Sequence, residues 1–582
     1  MTFGRRKFII GSVGAGAVSS LIGSGCADSN GGDGGGDHGD GMPIDGSMLA
    51  SAAVDTQTFA HGVASADPLS DRVLLWTRVS MEGEDAVEVS WVITSDPELT
   101  QVVNKGTAMT DALTDYTVKV DADKLQPGTT YYYAFGVADG RSVTGRTRTL
   151  PAAGIDHLRI VFTSCANFNN GYFNAYRAIA NRQDIDVWVH LGDYIYEYAD
   201  AKAEPDNSYG DPSLTDRAYV PTKECITLED YRTRHAQYRT DKDLQEIHRQ
   251  IPIISVWDDH ETANNAWMGG AENHMPATEG DWPTRQEAGT QAYLEWVPTR
   301  SMKGTTIDKI YRSFEFGGLF DLIMLDTRQL ARSQQVEVSS VPGQDPPEWD
   351  DPSRTILGDE QEQWFIAQLK DSRARNTIWR LIGNQVIISP VHDPLMRAAT
   401  FADFWEGYRA ERTRIFQQIV DDGIDNMVFM TGDIHTSWAI DLAQDPWDPA
   451  KYDPATGMGG FGVELVGPSI TSLALEGDPT ADIVPTLVSD ANPQVKFSEV
   501  TRKGYVLVDV TPAQVQAEWY FVNTIKMPNM PGESLYKAYV CKAGAHHLEE
   551  VTTPTVAKAS PPAFAPAAST ASAALLAHNA AE

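Results

Sequence analysis

The chain predicts a layered α/β domain with mixed sheets, preceded by a small all-β sandwich of the immunoglobulin or fibronectin kind. Three observations carry this expectation. Between about residues 56 and 150, VLLWTRV, VEVSWVIT, YTVKVDA and TYYYAFGVA read as strands separated by Gly, Pro and Asp turns. From 158 onward, apolar runs alternate with amphipathic segments such as EDYRTRHAQYRTDKDLQEIHRQ (229–250) and AERTRIFQQIVDDGI (410–424), the rhythm of a layered α/β domain. Near the end, FGVELVGPS, YVLVDV and AEWYFV follow one another without helices between them, so the sheet is mixed.

Length and charge bound the rest. At 582 residues the chain exceeds one core and suits two or three domains. Its 80 acidic and 46 basic residues give a formal charge of −34, which argues against general nucleic-acid binding and repels anionic substrates unless the site supplies positive charge. Four cysteines, Cys26, Cys165, Cys225 and Cys541, are too few for a disulfide framework, although Cys225 and Cys541 could pair in an exported protein.

The N-terminus speaks to compartment. Arg5 and Arg6, followed by Phe8, Ile9 and a weakly apolar Gly/Ala/Ser stretch, resemble a twin-arginine export signal, too glycine-rich for a membrane span. Residues 1–26 are read as this signal, ending in IGSGC, a lipoprotein-like box with Gly23 where Leu is usual. The chain is therefore expected outside the cytoplasm, as a periplasmic, secreted or surface lipoprotein, meeting the export machinery and touching a membrane only through a lipid on Cys26. Residues 27–55 form a Gly/Asp-rich tether, in which a formal G-x-G-x-x-G lacks the flanking strand and helix that would give it meaning. The sandwich spans 56–150, the α/β domain 155–545, and an Ala/Pro-rich tail expected to be disordered 546–582.

The chemistry lies where the strands stop. LRIVFTSCAN ends at Cys165 and Asn167, VWVHLGDYIYEY at Asp193 and Tyr196, and IPIISVWDDHETANN at Asp258, Asp259, His260 and Asn265. FDLIMLDTR ends at Asp326 and Arg328, IWRLIGNQ at Asn384 and Gln385, and NMVFMTGDIHTSW at Asp433 and His435. Ligands of open α/β sheets bind at the carboxyl ends of strands, and ordinary capping does not deliver this mixture of Cys, Asp, Tyr and His. Thiolate and phenolate suit a trivalent iron-type ion, carboxylate and amide oxygens suit calcium or magnesium, and imidazole suits iron or zinc. A mixed set implies more than one ion, and ions flanking a phosphate would lower the pKa of a bound water and offset the acidic surface.

The series SCAN, GDYIYEY, WDDHETANN and TGDIHTSW, preceded by FAHGVASADPLSDRVLLWTRV (59–79), resembles the PhoD-type alkaline phosphatases, metallophosphoesterases distantly similar to purple acid phosphatases. The likeness spans about 57–545. It implies a metallophosphoesterase sandwich holding iron and calcium, with Asp193 bridging ions and Cys165, Tyr196 and His435 on iron. It places Asp259, Asn265 and Asp433 on calcium or a second metal, Asp258 and Asn264 remaining the alternatives to their neighbours. His260 would orient water or substrate. Asn167 and Arg328 are assigned with it to the catalytic group, Arg328 for phosphate, against a scaffold ion pair with Asp326.

The expected activity is hydrolysis of phosphomonoesters, phosphodiesters or both, by a metal-bound hydroxide, on small phosphate esters or phospholipids. A phospholipase D-like phosphodiesterase and a non-catalytic surface lipoprotein on the same scaffold are the competing readings, with a metal-dependent nuclease disfavoured by charge. G-x-S-x-G, H-E-x-x-H and a phosphate-cradling loop ending in Gly-Lys-Ser/Thr are absent from the sequence.

Overall fold

The structure is a computed structural model that describes residues 48–567 except 82, 84, 139, 337–344, 393–401 and 531. The twin-arginine stretch, Cys26, most of the tether and the tail beyond 567 fall outside the described residues. Among the described residues, no helix is long and apolar enough to cross a membrane.

Three parallel strands, Leu158–Thr163, Val187–His190 and Ile253–Ser255, form the middle of a ten-stranded sheet. Antiparallel strands Gly504–Val510, Gln514–Val522, Glu533–Lys542 and Leu548–Val551 extend one side, which confirms the mixed sheet. A second sheet of seven strands contains the parallel run Phe320–Met324, Trp379–Asn384, Met427–Thr431 and Gly460–Val466. The two-residue period of a strand divides its side chains between two cores. Leu381 and Val428 join Val161, Trp188 and Val189 of the larger sheet, whereas Ile382 and Phe429 pack with Phe365, Ile415 and Val488. The latter come from helices Gly358–Ala374, Arg409–Asp421 and Val484–Ala491, which supply the α layer. The 229–250 segment forms two helices, Leu228–Tyr238 and Lys242–Gln250, because Asp241 caps the second by accepting the N–H groups of Asp243 and Leu244.

The N-terminal β-sandwich shares one of its two layers with the α/β domain. Val63–Ala66 pairs in parallel with Ile253–Ser255, and Val73–Arg78 and Thr117–Ala122 follow it, so these strands are the far end of the ten-stranded sheet. Only Val87–Thr94, Val102–Thr110, Thr130–Val137 and short partners make the opposing sheet. Trp91, Tyr133 and Phe135 of that sheet pack on Val73, Leu75 and Val118 of the large one. Alternation reveals which face of a strand is buried but not which sheet it joins, since pairing is set by long-range partners.

The tail is a second correction. Through Ala567 it is docked rather than disordered: Tyr132 Oη donates to Ala563 O (2.7 Å), Arg249 Nη1 to Pro566 O (2.7 Å), and Ala565 N to Gln250 Oε1 (3.0 Å). Side-chain donors satisfy an extended backbone without any periodicity for composition to reveal. Cys225 and Cys541 are buried and free, so the disulfide considered for them is not formed.

Glu464 sits fully buried in the seven-stranded sheet and accepts Ile388 N (3.0 Å), Ser389 N (2.9 Å) and Thr431 Oγ1 (2.8 Å). Burial pushes it from 4.5 up to about 7. The folded chain therefore keeps a proton that the unfolded chain releases, and stability falls as pH rises through that window. The melting temperature of Glu464→Gln is expected to fall less than that of the unsubstituted protein over the same window. Parallel melting curves would remove Glu464 from the account.

Candidate metal centre

All six strand ends meet where the two parallel runs face each other. Their loops turn inward through strained backbone: Cys165 (φ 62°), Asp193 (55°), Asn265 (52°), Asp433 (63°) and His435 (64°) all occupy the left-handed region. Non-glycine residues persist there only where the surroundings over-determine them, which is common at functional sites. Gly192 (φ 101°) is required for a second reason, because a Cβ would stand 2.4 Å from Asp258 N. Gly lets the loops after two neighbouring strands touch.

Three groups of donor atoms result, each with its atoms within 4.8 Å of one another: Cys165, Asp193 and His435; Asp193, Asp259 and His260; and Asp258, Asp259 and Asp433. Asp193 and Asp259 each belong to two groups. Tyr196 Oη donates to Asp193 Oδ2 (2.8 Å), lies 3.1 Å from His435 Nε2, and accepts from Ser472 Oγ (2.6 Å). His435 Nδ1 donates to Leu473 O (2.6 Å), which leaves Nε2 as the ring's lone-pair donor. His260 stacks on Tyr196 at 4.2 Å, and its Nδ1 donates to Glu197 Oε2 (2.7 Å).

The electrostatics bear on what the centre can hold. Among the described residues, Asp193 Oδ1, Asp258 Oδ2 and Asp259 Oδ1 are buried without a hydrogen-bond partner. Each such oxygen costs about 1–3 kcal/mol or more, and three within one cluster fit cations. The donors are of the kinds that hold them: thiol, phenol and imidazole at one end, carboxylates at the other. Burial, then Asp193, pushes both the Cys165 thiol and the Tyr196 phenol well above their usual ranges. Burial also outweighs Arg328 to push Asp433 up to about 8 and Asp258 well above the carboxylate range. At Asp259 burial is overcome by Arg328 and His260, which hold it at about 2. A cation entering here displaces the protons on the raised donors, so its affinity rises with pH.

Asp193, Asp259, Asp433, His435, Cys165, Tyr196 and His260 thus lie together in one cluster. Asn265 lies beside them, donating its N–H to Asp259 and its Nδ2 to Glu272 (2.6 Å). Asp258 belongs with Asp259 rather than replacing it. Two catalytic assignments need correction. Asn167 is spent inside the protein: its Nδ2 donates to Tyr209 O and its Oδ1 accepts Tyr219 Oη (2.9 Å), so it braces a loop.

Arg328 is fully buried, donating Nε to Asp258, Nη1 to both oxygens of Asp403 (2.8 Å) and Nη2 to Asp433 (2.7 Å). Carboxylates, not phosphate, fill its fork. Asp326 does not pair with that guanidinium. It accepts the backbone N–H groups of Arg328 and Gln329 and the indole of Trp257. Asn384 and Gln385 bond within the scaffold, to Val386 O, Trp405 and Thr327. Sequence reasoning missed Glu197, Glu261, Tyr209, Ser472 and Asp403. Glu197 and Glu261 stood inside quoted segments, and the signal was a carboxylate next to an apolar run with no cation to pair it.

Residues 160–519 match the family model described as PhoD-like phosphatase, and residues 46–151 the one described as PhoD-like phosphatase, N-terminal domain. Alkaline phosphatase D of Bacillus subtilis (strain 168) is 34% identical over 568 residues, covering 95% of this chain and 90% of that protein. A solved structure titled "Structure of PhoD" superposes with a TM-score of 0.76 at 34% identity, covering 86% of this chain and 93% of that one. Fold, site and relatives define a phosphoric ester hydrolase. The chain belongs to the PhoD-like phosphatase family.

Proposed function

We propose that this hydrolase is metal-dependent and exported, and that it cleaves phosphomonoesters, phosphodiesters or both. Cys165, Asp193, Tyr196 and His435 would hold trivalent iron, while Asp258, Asp259 and Asp433, with the carbonyl of Asn265, would hold calcium. The observation that supports this most is the set of three unpartnered carboxylate oxygens beside a thiol and a phenol. When bound, such ions supply positive charge for the phosphate oxygens and acidify a nucleophilic water.

The chain's own residues do the remainder. Glu197 fixes the His260 ring through Nδ1, leaving Nε2 to carry the proton toward the leaving oxygen. Arg328 holds Asp258 and Asp433 in place and balances their charge. Tyr209, whose Oη donates to Leu473 O (2.6 Å), stacks on His435 and closes that side. The Arg5–Arg6 stretch supports twin-arginine export, with Cys26 as a lipid attachment point.

Metal analysis of protein prepared without chelator or reductant tests the reading. Iron near one per chain and a visible phenolate-to-iron band that Tyr196→Phe abolishes are expected. Colourless, metal-free and inactive protein would instead favour the non-catalytic lipoprotein. Rates on nitrophenyl phosphate and on its diester analogue separate monoesterase from diesterase.

A further inference from the structure

Glu261 is 1% exposed, and its carboxylate faces three backbone N–H groups. Oε1 accepts Tyr194 N (2.6 Å), while Oε2 accepts Asp193 N (3.2 Å) and Asp258 N (2.9 Å). These donors belong to two different loops, those following Val187–His190 and Ile253–Ser255. The left-handed pair Gly192 (φ 101°) and Asp193 (φ 55°) turns successive N–H groups toward one point. Such a concavity ordinarily binds an external anion. Here a side chain of the same protein fills it.

We infer that Glu261 is the positioning residue that locks Asp193 and Asp258 into one centre, acting through their backbones rather than on substrate. The inference deepens the metal-dependent reading above and rests on it for its kinetic consequences. Three features favour the assignment. Asp193 is shared by two donor groups and Asp258 belongs to the third, so one carboxylate fixes a member of every group. The unpartnered oxygens of both residues are aimed by the loops that Glu261 ties. The backbone of Glu261 is itself closely packed, because the helix Trp282–Trp296 passes so near at Gly289 that a Cβ there would stand 2.7 Å from Glu261 O.

Glu261→Gln replaces one acceptor oxygen by an NH2 group, which must then face backbone N–H. Residues that orient metal ligands change metal affinity about 10–100-fold when altered. Calcium titration of Glu261→Gln is accordingly expected to give a dissociation constant raised about 10-fold or more. With the ions at saturation, kcat and the position of the phenolate band should return toward those of the unsubstituted protein. A purely structural defect would not be rescued by metal, and a residue touching substrate would lose kcat even at saturation; either result overturns the inference, as does unchanged affinity.

A second readout needs no metal. Amide hydrogen exchange at Asp193, Tyr194 and Asp258 is expected to quicken about 10-fold or more in the metal-free variant, while amides inside the flanking strands keep their protection. If the unsubstituted protein takes up no ions, the functional reading fails, yet the exchange comparison still decides the role of Glu261. Should Glu261→Gln not fold, Glu261→Asp, which keeps both acceptor oxygens but is one methylene shorter, serves for the same measurements.

Discussion

Asp193→Asn is expected to cost about 10³-fold or more in kcat/KM, because on the proposed metal-dependent reading it removes a charge shared by two donor groups and with it several kcal/mol of electrostatic stabilisation. Asparagine keeps the shape but presents an NH2 group where a lone pair is needed. Since Asp193 sits in two donor groups, the substitution should lower the content of both ions, whereas Asp433→Asn, which belongs to one, should deplete only the second. Stability should move the other way. In metal-free protein, Asp193→Asn removes a buried carboxylate oxygen that has no partner and lies among Asp258, Asp259 and Asp433. A gain of about 1–3 kcal/mol is expected on melting. An inactive variant that binds both ions normally would refute the bridging role, and a loss of metal-free stability would refute the electrostatic account.

His260→Gln is the second large effect, about 10²–10⁴-fold in kcat for an alkyl phosphate ester. Burial lowers the tendency of His260 to hold a proton, but Asp259 and Glu197 outweigh it and keep the ring an imidazolium well above its usual range. A nitrophenolate leaves without help, so the loss on nitrophenyl phosphate should be much smaller. Equal losses on the two substrates would remove the proton-donor role. Glu197→Gln deletes a negative neighbour 2.7 Å from Nδ1. It should therefore lower the pKa of His260 and draw the alkaline limb of the kcat profile to lower pH. An unmoved limb would assign that limb to another group.

Six apolar runs ended in donor residues, and their period and length marked them as buried strands whose ends carry chemistry. Cys165, Tyr196 and His435 were visible because thiol, phenol and imidazole are unlike caps, whereas Asp193 and Asp433, which capping could equally supply, stood out only in their company. The layered α/β class and the mixed sheet followed from the order of periodicities, which is local information.

Only the tertiary structure decided the remainder. That Val63–Ala66, Val73–Arg78 and Thr117–Ala122 complete the catalytic sheet depends on a pairing between Ala66 and Ile253, far apart along the chain. That Arg328 serves carboxylates instead of phosphate depends on Asp258, Asp403 and Asp433 arriving around it from three other segments. Asn167 looked catalytic by position and proved structural because Tyr209 and Tyr219 fold back onto its amide. The chain by itself determined which residues carry donor atoms of the metal-binding kind and that they stand at strand ends. Which of them meet, and which are consumed by neighbours, was settled by contacts between distant segments, since a hydrogen-bonding group's role depends on the partner it finds in space.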